Sequence, residues 1–213
     1  MGSQSQITLY HYWRSSCSWR VRWALAYKNI PFNDIPVNLL ANEQNSSSYL
    51  ALNPGGFVPA ISINGNTYGE SMAILEWIEE TVPSPPLLPK SSLDRLRVRQ
   101  LCQLIVSGIQ PLQNLAVMRR HSGDPSTQSA WARQWISAGL EKLEAIMRST
   151  AGTYSFGGEI TMADLCLVPQ IYNASRFNVD IAQFPTLQRV QSNCAKLSSY
   201  ECSAPHNQKG ATP

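Results

Sequence analysis

The chain has 213 residues, 43% of them apolar, and a formal charge of +3, enough for one large domain or two small ones around a sizeable core. Its Lys and Arg are scattered, which argues against nucleic acid as the main partner, and no apolar run approaches the ~18 residues that span a bilayer. The five cysteines form no C-x-x-C pair, which excludes zinc-ribbon and dithiol redox motifs; their odd number, with no secretory leader in view, predicts reduced thiols in the cytoplasm.

Residues 1–6 read as a flexible start, and residues 7–10 as a first strand. A helix is predicted over 16–28, with Val21, Ala24 and Leu25 on one face, and Asn29-Ile30-Pro31 ends it. Residues 32–37 alternate apolar and polar, the mark of a second strand. Residues 42–48 are polar, a loop with a short helix, and Asn53-Pro54-Gly55-Gly56 is a turn. A third strand over 58–63 is entered through Pro59, and Asn64-Gly65 is a hairpin signal leading to a fourth strand at Thr67-Tyr68. Ala73, Ile74, Trp77 and Ile78 share a helical spacing over 70–81.

The composition then changes. Val82-Pro83-Ser84-Pro85-Pro86-Leu87-Leu88-Pro89 is a proline-rich linker, and only helices are predicted beyond it. One long helix spans 93–119, bent at Gly108 and Pro111. Another spans 130–148 with Trp131, Trp135, Leu140 and Leu143. Thr161-Met162-Ala163-Asp164 has capping-box form before an apolar run. Phe184-Pro185 opens a last helix, and the polar tail from Ser203 is expected to be disordered. The expected architecture is an α/β domain over 5–84 followed by an all-α domain over 91–202.

The most informative stretch is Ser15-Ser16-Cys17-Ser18-Trp19-Arg20-Val21-Arg22, where the first strand gives way to the first helix. Hydroxyls and a thiol crowd a helix N-terminus, where free N–H groups and the macrodipole favour an anion, a thiolate included. His11, His121 and His206 form no triad or metal set, and packed or solvated rings are expected.

That octapeptide resembles a signature of the zeta class of the cytosolic glutathione transferases. Ala51-Leu52-Asn53-Pro54, Val58-Pro59, Glu70-Ser71, Gly108-Ile109-Gln110-Pro111-Leu112-Gln113-Asn114 and Thr161-Met162-Ala163-Asp164-Leu165-Cys166-Leu167-Val168-Pro169-Gln170 follow in the family's order. The likeness covers residues 7 to about 200. It implies a thioredoxin-like first domain, glutathione as cofactor, a homodimer, and a place in tyrosine and phenylalanine catabolism.

A free thiol has a pKa of ~8.5, so ionisation at neutral pH needs ~2 units, or ~2.7 kcal/mol. A helix terminus supplies ~0.3–1 kcal/mol and one charge-assisted hydrogen bond ~1.5–3 kcal/mol. A hydroxyl donor at the helix start is therefore expected. By resemblance Ser15 is that donor, assisted by Ser16 and the Cys17 N–H, although an N-cap role alone would account for one of the two serines. Cys17 is either a nucleophile able to form a mixed disulfide with glutathione or a bystander packed beside its sulfur.

The resemblance further implies a cis bond at Val58-Pro59 that offers the Val58 peptide groups to glutathione. It assigns Ser71 to the γ-glutamyl carboxylate and Gln44 to the glycine end, in a region shortened by about two residues relative to the family. Glu70 departs from the glutamine common there and can pair with the ligand ammonium group. Gln110 and Asn114, four apart on the long helix, are expected to share a ligand-facing side. Arg14, Arg20 and Arg176 are the candidate cations for an acid substrate. The implied activity is cis–trans isomerisation of a small unsaturated keto acid, maleylacetoacetate to fumarylacetoacetate. Two alternatives stay open: action on another enone or an α-halo acid, in a specialised biosynthetic pathway for instance, or a non-catalytic glutathione-binding module.

Overall fold

A computed structural model describes residues 7–211, and the flexible start expected over 1–6 lies outside the described residues. β1 (Ile7–His11) alternates buried and half-buried residues, as a strand with one covered face does. It pairs in parallel with β2 (Phe32–Pro36), a pairing that requires a crossover. That crossover carries α1 (Ser16–Tyr27). β3 (Ala60–Ile63) runs antiparallel to β1, and β4 (Asn66–Tyr68) antiparallel to β3, so the order is β2-β1-β3-β4. Asn64 and Gly65 both take positive φ, 51° and 80°, which suits the two-residue hairpin expected from their types. α2 (Ser47–Leu52) follows β2, and α3 (Ser71–Thr81) follows β4.

The registers fix which connections share an end of the sheet. Tyr10 lies opposite Ala60, Ile61 opposite Tyr68, and His11 beside Pro36. The exit from β1, the exit from β2, the entry to β3 and the exit from β4 therefore lie at one end. The N-termini of α1 and α3 both open there.

Two units result among the described residues: those up to Pro86 together with residues 197–211, and Leu87–Lys196. The second is helical. α4 (Ser92–Val106) buries Val98, Leu101, Cys102 and Ile105. Next come α5 (Leu115–His121) and α6 (Pro125–Thr150), which buries Ile136, Leu140, Leu143 and Met147. α7 (Met162–Arg176) buries 12 of its 15 residues and forms the middle of this unit. Asp164 accepts N–H bonds from Thr161 and Ser155, each at 2.7 Å, which completes the capping role expected of it. α8 (Pro185–Cys194) closes the unit.

Three expectations are corrected. The helix expected over 93–119 breaks instead of bending. Ile109 and Gln110 both donate to the Ile105 carbonyl, at 3.1 and 2.9 Å, and Asn114 caps a new helix. Pro111 has no N–H to continue the ladder and crowds the carbonyl four residues back. Secondly, α8 is not the last helix: α9 (Ser198–Ser203) and a 3-10 turn at Pro205–Asn207 follow. Thirdly, the tail from Ser203 to residue 211 is ordered and belongs to the first unit, because indole and guanidinium donors on α1 take its Ser side chain and carbonyl.

Candidate functional site

Ser15 is the N-cap of α1, in extended conformation with φ −70° and ψ 122°. Its Oγ accepts the Ser18 N–H at 3.2 Å, and its carbonyl starts the helix by accepting the Trp19 N–H at 2.8 Å. A hydroxyl has two lone pairs and one proton, so capping leaves Ser15 its O–H to donate. The two readings of this serine are compatible. Ser16 is buried in the first turn, and Cys17 beside it is half-buried. Ser18 is fully buried and accepts the Tyr12 N–H at 3.3 Å, which ties the loop back onto the helix it precedes.

Beneath this tip lies a buried polar network that the sequence reading did not identify. Arg22 donates to the carbonyls of Tyr12 and Trp13 and, at 2.9 Å, to His11 Nδ1. Arginine has no acceptor, so the His11 proton sits on Nε2 and is donated to Asp34. Burial and the Arg22 charge hold His11 down at about 4, against the pull of Asp34. Burial also lowers Arg22 to about 9. The signal for Arg22 was present in the W-R-V-R run. However, α1 is buried on nearly every side from Ser18 to Leu25, so helical periodicity could not reveal which way the cation faced.

The Val58-Pro59 bond is cis, as the resemblance implied. Gln44 sits in the 3-10 turn Glu43–Asn45, and its carbonyl lies 3.4 Å from where a Cβ on Gly56 would stand. Gln44 Oε1 is buried without a hydrogen-bond partner among the described residues. Glu70 takes positive φ, 63°, at the start of α3, and its side chain is exposed. A non-glycine residue in that conformation costs ~1–3 kcal/mol and must be held by its surroundings. Here the Glu70 carbonyl accepts the Ile74 N–H at 3.0 Å, opening the helix. Ser71, in the first turn, is buried at 7% exposure.

Arg20 is buried, at 1% exposure, and its Nη1 donates to Ser71 Oγ at 3.0 Å, the serine expected to take the γ-glutamyl carboxylate. Arg14 is half-buried, with its guanidinium 5.2 Å from the Trp13 ring. Ser15, Ser16, Cys17, Gln44, Val58, Pro59, Glu70 and Ser71 thus lie on the four connections that meet at one end of the sheet. A cleft of about 470 Å³ between Asn53, Phe57, Tyr68 and Ala73 touches this group at Glu70 alone.

In the second unit Gln110 and Asn114 do not share a helix face, because α4 ends at Val106, before Gln110, and Asn114 is the N-cap of α5. Gln110 is buried in the turn, and Asn114 Oδ1 is occupied by the Ala116 N–H at 2.9 Å. The sequence reading missed Gln113. It is buried and exchanges two amide bonds with Gln170 of α7, at 2.9 and 3.1 Å, which pins the turn. Arg176 is exposed at the end of α7 and donates to Asn173 Oδ1 at 3.1 Å.

Residues 14–81 match the model of the glutathione S-transferase N-terminal domain. A maleylacetoacetate isomerase of Dictyostelium discoideum is 44% identical over 99% of this chain and 99% of its own length. The maleylacetoacetate isomerase of Rattus norvegicus is 46% identical over 94% and 93%. A zeta-class glutathione S-transferase of Euphorbia esula is 38% identical over 99% and 95%. Among solved structures, maleylacetoacetate isomerase from Anaeromyxobacter dehalogenans with glutathione bound superposes with a TM-score of 0.91, at 42% identity over 99% of this chain and 100% of that one. A zeta-class maleyl pyruvate isomerase superposes at 0.93, with 37% identity over 96% and 100%. With that identity along nearly its whole length, the chain belongs to the glutathione S-transferase family, in the zeta class to which the maleylacetoacetate isomerases belong.

Proposed function

We propose that this protein is a glutathione-dependent cis–trans isomerase of maleylacetoacetate. The observation that carries the reading is Ser15. Its hydroxyl caps α1 and keeps a proton to donate, at the end of the sheet where two helix N-termini open. The other residues there suit a small acidic peptide. Ser71 offers a hydroxyl and an N–H for a carboxylate, the Val58 peptide offers backbone pairing, and the orphaned Gln44 Oε1 lacks a donor. Glu70 suits an ammonium group.

Bound glutathione supplies a thiolate that adds reversibly to the alkene, so that the former double bond can rotate before elimination restores it as trans. The chain's own residues lower the barrier in three ways. Ser15 donates to the sulfur and the α1 terminus favours its charge, together supplying ~2–4 kcal/mol against the ~2.7 kcal/mol that ionisation at neutral pH requires. Ser71, Gln44 and the Val58 peptide hold the tripeptide in one pose, which removes orientational freedom before the reaction. Arg14 faces the acid substrate and the charge that develops on its carbonyl oxygen. We assign Arg176, Gln110 and Asn114 to substrate and glutathione contacts on the strength of the motif match.

We further assign this enzyme to the cytoplasm, to tyrosine and phenylalanine catabolism, and to a homodimer. The dimer rests on Leu93 and Leu96 of α4, which are 55% and 62% exposed and three residues apart. The cytoplasm rests on the five free cysteines, and no described helix is long and apolar enough to cross a membrane.

The test is a substrate panel at fixed glutathione: maleylacetoacetate, maleylpyruvate and dichloroacetate. The expected result is faster turnover of maleylacetoacetate than of either rival, and far above the rate with glutathione alone. Dichloroacetate turnover exceeding any alkene isomerisation would overturn the isomerase assignment in favour of dehalogenation.

A further inference from the structure

Arg22 is 1% exposed, and its guanidinium joins two segments far apart in the chain. On one side Nη1 donates to the Tyr12 carbonyl at 3.3 Å and Nη2 to the Trp13 carbonyl at 2.9 Å. The Tyr12 carbonyl also accepts the N–H of Ser15, at 3.1 Å. On the other side Nε donates to the Ser203 carbonyl at 3.2 Å.

Residues 197–211 run along α1 as a strap. The indoles of Trp19 and Trp23 donate to Ser203 Oγ and Ser199 Oγ, both at 3.1 Å. The Tyr200 ring lies against both indoles, at 5.5 and 5.6 Å between centroids. Further on, Lys209 reaches Asp34 at 3.5 Å. Asp34 is the carboxylate that accepts from His11, whose other nitrogen accepts from Arg22. The strap therefore reaches the guanidinium twice, once directly and once through Asp34 and His11.

We propose that Arg22 and the strap are a positioning device for the Ser15-Ser16-Cys17 tip. The strap holds the guanidinium, the guanidinium holds the Tyr12 and Trp13 carbonyls, and these set where Ser15 presents its hydroxyl. This inference rests on Ser15 being the donor to the glutathione sulfur. Arg22 is buried and acts through the Tyr12 and Trp13 carbonyls. A lysine at position 22 keeps the charge but not the planar fork that reaches both carbonyls and Ser203. A misplacement of ~1 Å at a site of this kind is enough to change rates ~100-fold.

The experiment measures the thiolate absorbance of bound glutathione in the full chain at neutral pH, as a difference from the S-methylglutathione complex, alongside glutathione affinity. Arg22→Lys is expected to lower the ratio of thiolate to thiol ~3–10-fold, half to one pKa unit, with Kd within ~3-fold of the parent. Tyr200→Ala, which loosens the strap without substituting a residue of α1 or the loop, should shift it the same way by less. Ser15→Ala is the control on the underlying reading. If Ser15→Ala lowers the thiolate fraction while folded Arg22→Lys and Tyr200→Ala leave it at the parent value, the positioning role is wrong and the donor role stands. If Ser15→Ala leaves it unchanged, the donor role falls and the positioning role with it. Should Arg22→Lys fail to fold, Tyr200→Ala decides alone.

Discussion

A single oxygen at position 15 both closes a helix and reaches toward a ligand. Ser15→Ala should therefore lose two things of different size. Loss of the cap costs ~1 kcal/mol of stability, read by urea denaturation. Loss of the charge-assisted bond costs ~1.5–3 kcal/mol at the sulfur, a ~10–150-fold fall in kcat/KM. A second residue-scale prediction concerns His11. Its folded pKa of about 4 lies below the ordinary 6.5, so between those values the unfolded chain binds a proton that the folded chain does not. Stability then falls as pH drops from 6.5 toward 4, by on the order of 3 kcal/mol from this group. Denaturation midpoints at several pH values should show that slope in the parent and a shallower one in His11→Gln. Which residues matter was partly legible. The need for a hydroxyl followed from the chemistry of helix starts and its assignment to Ser15 from the resemblance. The burial of Arg20 against Ser71 Oγ, at 3.0 Å, could not be read, because a sequence does not tell a buried cation from an exposed one.

Among elements, the break after α4 carries the clearest energetic consequence. The turn that replaces the expected helix is pinned by the Gln113 and Gln170 amides, both buried. Gln170→Ala leaves the buried Gln113 without this partner, at a cost of ~1–3 kcal/mol. A double-mutant cycle with Gln113→Ala should return part of that loss. The same turn rests on Gly139 of α6, where an added Cβ would stand 2.3 Å from Ile109 Cγ1. Gly139→Ala is expected to lose ~1–3 kcal/mol by overpacking, and Ile109→Ala in the same chain to recover some of it, measured by thermal melts. Strands and early helices could be read because Asn64-Gly65, the prolines and the apolar spacing all agree. The break could not, because Gly108 and Pro111 are compatible with a kink as well as an interruption. α9 escaped notice for a different reason: Ser198–Ser203 is short and polar, and it is held by indoles on α1 that no local pattern reveals.

At the scale of the whole molecule, the change from strands to helices after the proline run was visible in composition alone. The return of residues 197–211 to the first unit was not, since it depends on contacts about 180 positions apart, such as Trp19 with Ser203. The homodimer assignment is checked by the mass in solution. The parent is expected at twice the 23.7 kDa chain, and Leu96→Glu, which places a charge on the exposed α4 face, nearer to one chain. The central claim is that the thiolate held at the start of α1 is borrowed and returned. The most direct measurement follows maleylacetoacetate by NMR with glutathione well below one equivalent. Complete conversion to the trans isomer with all the glutathione recovered is the predicted result. Conversion that stops when the glutathione is spent, or none beyond the glutathione-only control, would contradict it.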